Sequence, residues 1–123
     1  MSTRPKLHPT DKHPITVTPT GKHVTVRVNG EVVAETDNAQ TLQESTYAAV
    51  QYIPLDDADA GLLRRTDTET YCPYKGVASY YSVVTAGGTV DDAIWTYEQP
   101  YEAVSAIAGH VAFYPDKAEI TVG

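Results

Sequence analysis

The chain has 123 residues, a formal net charge of −7, 41% apolar side chains, and a single cysteine and tryptophan. That length builds one hydrophobic core, and no apolar run approaches the roughly 18 residues of a membrane span. The acidic balance repels a phosphate backbone, and one cysteine supplies neither an internal disulfide nor half of a four-thiolate zinc site.

Charge is unevenly spread: residues 1–27 carry +4 and residues 28–123 carry −11. The first thirteen residues are polar, contain two prolines and lack an apolar stretch of the kind a secretory signal needs. They read as a flexible N-terminal arm (1–13) ahead of a single β domain (14–123). The arm is expected to add little burial. A reducing cytoplasm is the expected compartment, with no nucleic acid or membrane as partner; the oligomeric state cannot be read.

Short strands then follow one another. Ile15-Thr16-Val17 suits a first strand. His23 to Val28 alternates polar and apolar residues with period two, Asn29-Gly30 is a hairpin turn, and Glu31 to Glu35 returns. Gln40 to Ser45 connects to a strand over Tyr47 to Ile53, which Pro54 breaks. Leu55 to Ala60 suits a helical turn that Gly61 ends. Leu62 to Arg65 and Glu69 to Cys72 read as two short strands around Thr66-Asp67. Ser79 to Thr85 and Thr89 to Tyr97 form a second hairpin about Gly87-Gly88. Tyr101 to Ile107 is the best helix candidate, with Gly109 beyond its end. His110 to Tyr114 and Ala118 to Val122 close the chain as strands. About eight strands with close-set turns predict an all-β fold with minor helix.

The stretch Tyr71-Cys72-Pro73-Tyr74-Lys75-Gly76 and the hairpin behind it hold the lone cysteine, the lone tryptophan and five of the nine tyrosines. A two-residue Gly87-Gly88 turn pairs Ala86 with Thr89, and hence Tyr80 with Trp95 and Ala78 with Tyr97. One face then carries Ala78, Tyr80, Ser82, Ala93, Trp95 and Tyr97; the other carries Tyr81, Val83, Val90 and Ile94. The second face is core. The first sets flat rings beside small residues, which is how an aromatic-walled pocket is lined, although aromatic rings also fill ordinary cores. Lys75, on a sharp bend, points either into that space or out to water. Cys72 is either a nucleophile activated by a neighbouring cation or a small buried hydrophobe. Glu44 is a partner for Lys75, a base, or an exposed acid. His110 suits a structural role. The histidines are dispersed, so no metal or cofactor is expected.

Thr70 to Gly76, Ala78 to Tyr81, Ala93 to Tyr97 and Ile107 to Tyr114 with Lys117, together with Glu44 and Tyr52-Ile53-Pro54, resemble the bacterial and fungal domain of unknown function 427 over residues 22–122. The resemblance implies bent, coiled antiparallel sheets similar to the Mss4-like or β-tent architecture. The family is sometimes labelled nucleotidyltransferase-like, but the chain lacks the Gly-Ser and paired-Asp features of such an enzyme. Asp56-Asp57 and Asp91-Asp92 are adjacent pairs, which along a strand face opposite ways. Other β-tent proteins bind zinc through paired cysteines that are absent here, and some hold small cyclic ligands in an aromatic cage. Three functions compete. The leading one is binding of a small molecule in a cleft lined by Tyr52, Tyr80, Trp95 and Tyr97, with Lys75 and Glu44 as polar anchors. The alternatives are an enzyme using Cys72 or Lys75 (with Glu44) in the same cleft, and a protein-interaction module whose aromatics are core.

Overall fold

Alternation in the first hairpin sets the simpler of two sheets. The computed structural model describes residues 4–123; the first three residues of the predicted arm lie outside it. Strands β2 (Val24–Val28) and β3 (Glu31–Thr36) pair antiparallel, and Val24, Val26 and Val28 are buried. Asn29 (φ 53) and Gly30 (φ 79) take the left-handed conformation that a type I′ turn requires at both central positions. The last strand, β10 (Glu119–Val122), adds to the other edge of β2, giving the order β10-β2-β3.

The larger sheet has seven strands: β1 (Ile15–Pro19), β4 (Gln40–Glu44), β5 (Val50–Pro54), β6 (Leu63–Cys72), β7 (Gly76–Thr85), β8 (Gly88–Thr96) and β9 (His110–Phe113). Their order is β1-β4-β5-β9-β8-β7-β6, antiparallel throughout. The fold is thus all-β. Its only helical segments among the described residues are three 3-10 turns, Leu55–Asp57, Ala60–Leu62 and Glu102–Ile107. The last was expected as the best helix, but non-helical dihedrals at Val104 (φ −126, ψ 27) interrupt it, and Val104 and Ile107 are buried instead as anchors. Asp56 and Asp57 sit on a 3-10 turn, within the helical turn expected over Leu55 to Ala60.

Three local expectations need correction. Gln40–Glu44 is a full strand; its one buried apolar residue, Leu42, gives a weak pattern. Leu63–Cys72 is one strand, not two, with its register shifting between Arg65 and Glu69. In the β7–β8 hairpin, Thr85 pairs with Gly88, so the turn is Ala86-Gly87 rather than Gly87-Gly88. A bulge beyond it, with Asp92 at φ 47, restores the expected pairing of Tyr80 with Trp95 and Tyr81 with Ile94. The bulge interrupts the period of two, and Ala93, expected beside Trp95, is packed with Ile94 in the aliphatic core.

Two cores result. One is mainly aliphatic and includes Val24, Val26, Ile53, Val83, Ile94 and Val111, with Phe113 as its one buried ring. The other is aromatic: Tyr52, Tyr80 and Tyr97 are buried with Leu42, Ala78, Val104, Ile107 and Ala112, while Cys72, Trp95 and Tyr114 pack against them partly exposed. Strands β4 and β7 stand four places apart, which in a flat sheet is about 19 Å at about 4.8 Å per strand. Yet Glu44 at the end of β4 bonds Lys75 just before β7. The sheet is curled around its aromatic face, and that curl makes the site.

Candidate functional site

The turn between β6 and β7 aims Lys75 inward. Cys72 pairs with Gly76, and the Lys75 amide donates to the Cys72 carbonyl at 3.2 Å. Gly76, at φ 111, takes a conformation that side chains disfavour, and a Cβ there would lie 3.4 Å from the Gln99 carbonyl oxygen. The Lys75 carbonyl accepts from the Tyr101 amide at 3.0 Å, which fixes the bend from the other side. Lys75 is only 8% exposed. Its ammonium donates to Glu44 Oε1 and lies 3.9 Å from Cys72 Sγ.

Glu44 has a second partner from the arm. The β1–β4 register sets Ile15 opposite Glu44, and the Ser45 amide donates to the Pro14 carbonyl at 2.8 Å. His13 therefore falls beside the carboxylate, with Nε2 2.8 Å from Oε2 and its ring stacked on Tyr74 at 4.3 Å and 12°. Burial pushes the Glu44 carboxyl up, but the hydrogen bonds from Lys75 and then His13 outweigh it and hold the group below its ordinary value. An ionised carboxylate only accepts, so His13 Nε2 carries the proton. Nearer the N-terminus, the arm is tied by the Leu7 amide to the Pro73 carbonyl at 2.9 Å, by Tyr71 Oη to the Pro5 carbonyl at 2.6 Å and by Lys6 to Glu102 at 3.0 Å.

Above this ion pair lies a cavity of about 210 Å³. The predicted residues Glu44, Tyr52, Lys75, Tyr80, Trp95 and Tyr97 all line it, with Tyr47 and Tyr114 among the others. Cys72 does not line it and stands behind Lys75. Trp95 Nε1 donates to Tyr52 Oη at 3.1 Å, and its ring lies edge-on to Tyr52 and tilted against Tyr114 at 4.6 Å. Tyr114 Oη donates to Tyr80 Oη at 3.3 Å, and Tyr80 Oη is 2.9 Å from Thr70 Oγ1. Tyr97 differs. It is 8% exposed, and no group among the described residues hydrogen-bonds its hydroxyl. Among the described residues no fully buried side-chain polar atom lacks a partner, so this hydroxyl reaches accessible space. The Tyr52 hydroxyl accepts from Trp95 and donates to no group among the described residues. Burial, above all, pushes the Tyr52, Tyr97 and Tyr114 phenols up, so they remain O–H donors at neutral pH.

Sequence reasoning missed His13, Tyr47 and Tyr114. Tyr114 carried a signal, since it ends the Ile107–Tyr114 block. His13 carried none, because its place depends on β1 pairing with a strand that its own composition hides. His110 bonds the Ala108 carbonyl at 2.9 Å and does not line the cavity. Among the described residues no group of three or more His, Cys, Asp and Glu side chains could hold a metal. No helix there is long and apolar enough to cross a membrane.

The curled sheet and its cavity define a small all-β protein with an aromatic-walled recess over a buried Lys–Glu pair. The chain belongs to the family described as domain of unknown function 427, whose model matches residues 16–123. None of the curated proteins compared with it matches the chain.

Proposed function

We propose that the protein binds an uncharged, single-ring molecule bearing a carbonyl or similar oxygen acceptor in the cavity beside Trp95. The observation that carries this reading is the Tyr97 hydroxyl: it belongs to a nine-tenths-buried residue and bonds no group among the described residues, on a recess lined by rings. That hydroxyl reaches the accessible space of the recess, so its O–H is a donor that a guest carrying an acceptor can meet there. The Tyr52 hydroxyl, which lines the recess and donates to no group among the described residues, adds a second donor. Lys75 is already balanced by Glu44, which favours a neutral guest over an anion. The volume suits one substituted ring, since an apolar cavity of about 150 Å³ accepts benzene. The β-tent comparison, in which aromatic cages hold cyclic ligands, points the same way by analogy only.

A screen of uncharged ring compounds read by Trp95 emission tests this. Saturable changes are expected for carbonyl-bearing rings, and Trp95→Phe should weaken those hits while the protein stays folded. A silent screen together with a collapse of stability in Trp95→Ala would leave the rings as core alone and put the interaction module in front.

The contact of Cys72 with Lys75 at 3.9 Å favours a second reading, a thiol enzyme. Cys72 lies outside the cavity lining, so slow labelling by iodoacetamide at pH 6 is expected; rapid labelling would shift the weight to that enzyme.

A further inference from the structure

A second hollow of about 320 Å³ lies against the first. Ala48, Val50 and Trp95 line both. The rest of its wall is Ala49, Gln51, Phe113, Pro115, Ile120 and Val122, so all its side chains but one are apolar. The shared rim is accessible: Ala48 is exposed, and Val50 and Trp95 are half-buried. The two hollows differ in chemistry. The first offers phenol donors and an ion pair; the second has only one amide side chain, Gln51, to satisfy a polar guest.

We propose that the ligand is an amphiphile, with its oxygen-bearing ring under Tyr97 and an apolar tail crossing the Trp95 edge into the Phe113–Ile120 hollow. This rests on the ring-binding reading above and specifies the class of molecule that satisfies it. A ring alone would leave the second hollow wet and apolar, whereas a tail removes that surface from water. Burying one methylene is worth about 0.8 kcal/mol, or about fourfold in affinity. The shared Ala48, Val50 and Trp95 lining puts the two spaces side by side, within reach of one molecule. An exposed apolar hollow with no link to the ring site would not distinguish such a tail from a protein side chain.

The test is calorimetric titration of acetophenone and its 4-alkyl homologues, ethyl to hexyl, into the full chain. Affinity should rise about threefold to fourfold per methylene until the tail outgrows the hollow. Ala49→Phe, which fills the hollow from its exposed rim, and Ile120→Lys, which places a charge in it, should each flatten the series and leave the affinity of acetophenone itself unchanged. Near-ultraviolet circular dichroism checks that both variants remain folded. A flat series in the wild type, with acetophenone bound, overturns the amphiphile and leaves ring binding intact. A series that still rises in both folded variants overturns the assignment of the tail to this hollow. Binding by no member of the series sinks the ring reading and this inference together.

Discussion

Lys75 and Glu44 show how a single side chain departs from its usual place. Lysine is ordinarily exposed, and nothing in Pro73-Tyr74-Lys75-Gly76 states a direction; the inward choice comes from Glu44, which arrives from four strands away. Their side chains are 10% and 13% exposed, so each charge depends on the other. Lys75→Met should therefore destabilise the protein by about 3–5 kcal/mol in urea unfolding, as removal of one partner from a buried pair does. Changing both residues, in Glu44→Leu with Lys75→Met, should recover part of that loss. The pH dependence has a fixed sign. The Glu44 carboxyl is lowered from its ordinary 4.5 in the folded state, so its contribution is complete above that value and is lost as pH falls through the folded value below it. The stability difference between wild type and Glu44→Gln should accordingly shrink as pH is taken below 4.5, and a difference that grows on acidification would contradict the assignment.

At the scale of elements, patterns of period two were legible and pairings between distant strands were not. Alternating valines and Asn29-Gly30 announced the first hairpin. The second was read with the correct Tyr80–Trp95 pairing through two compensating differences: the turn falls one residue earlier, and a bulge at Asp92 restores the register. Asp92 holds its left-handed φ while accepting from Thr66 Oγ1 at 2.7 Å and Thr68 Oγ1 at 2.6 Å. Asp92→Ala, which keeps the unfavourable φ and loses both bonds, should destabilise more than Asp92→Asn, whose side chain tolerates that φ and retains an acceptor. Equal thermal midpoints for the two would contradict this account of the bulge. β4 was hidden because Gln, Thr, Leu, Gln and Glu give no apolar alternation, and with it went the place of His13. Residues 4–12 are mostly exposed, whereas His13 is half-buried. Deleting residues 1–11 should thus shift the melting temperature by a few degrees at most, while His13→Ala, which strips Glu44 of its second donor, should reproduce most of any additional loss seen on deleting residues 1–13.

For the whole molecule, the curl of the seven-stranded sheet brings β4, β5, β7 and β8 around one recess. The sequence supplied the Tyr80 and Trp95 walls because the bulge at Asp92 offsets the displaced turn and leaves their pairing as a two-residue Gly87-Gly88 turn would set it. It withheld the volume of the recess and the state of each hydroxyl, which depend on how the two ends of the sheet meet. The central claim, that the Tyr97 hydroxyl is kept for a ligand, is tested most directly by comparing wild type and Tyr97→Phe in calorimetric titration with the best uncharged ring compound, alongside urea unfolding of both. A hydroxyl that bonds no group among the described residues and reaches accessible space adds no hydrogen bond to the fold, so the variant should be as stable as the wild type or slightly more so. A lost ligand hydrogen bond of about 0.5–1.5 kcal/mol should weaken its binding about twofold to tenfold. Unchanged affinity, or a clear loss of stability in Tyr97→Phe, would contradict the claim.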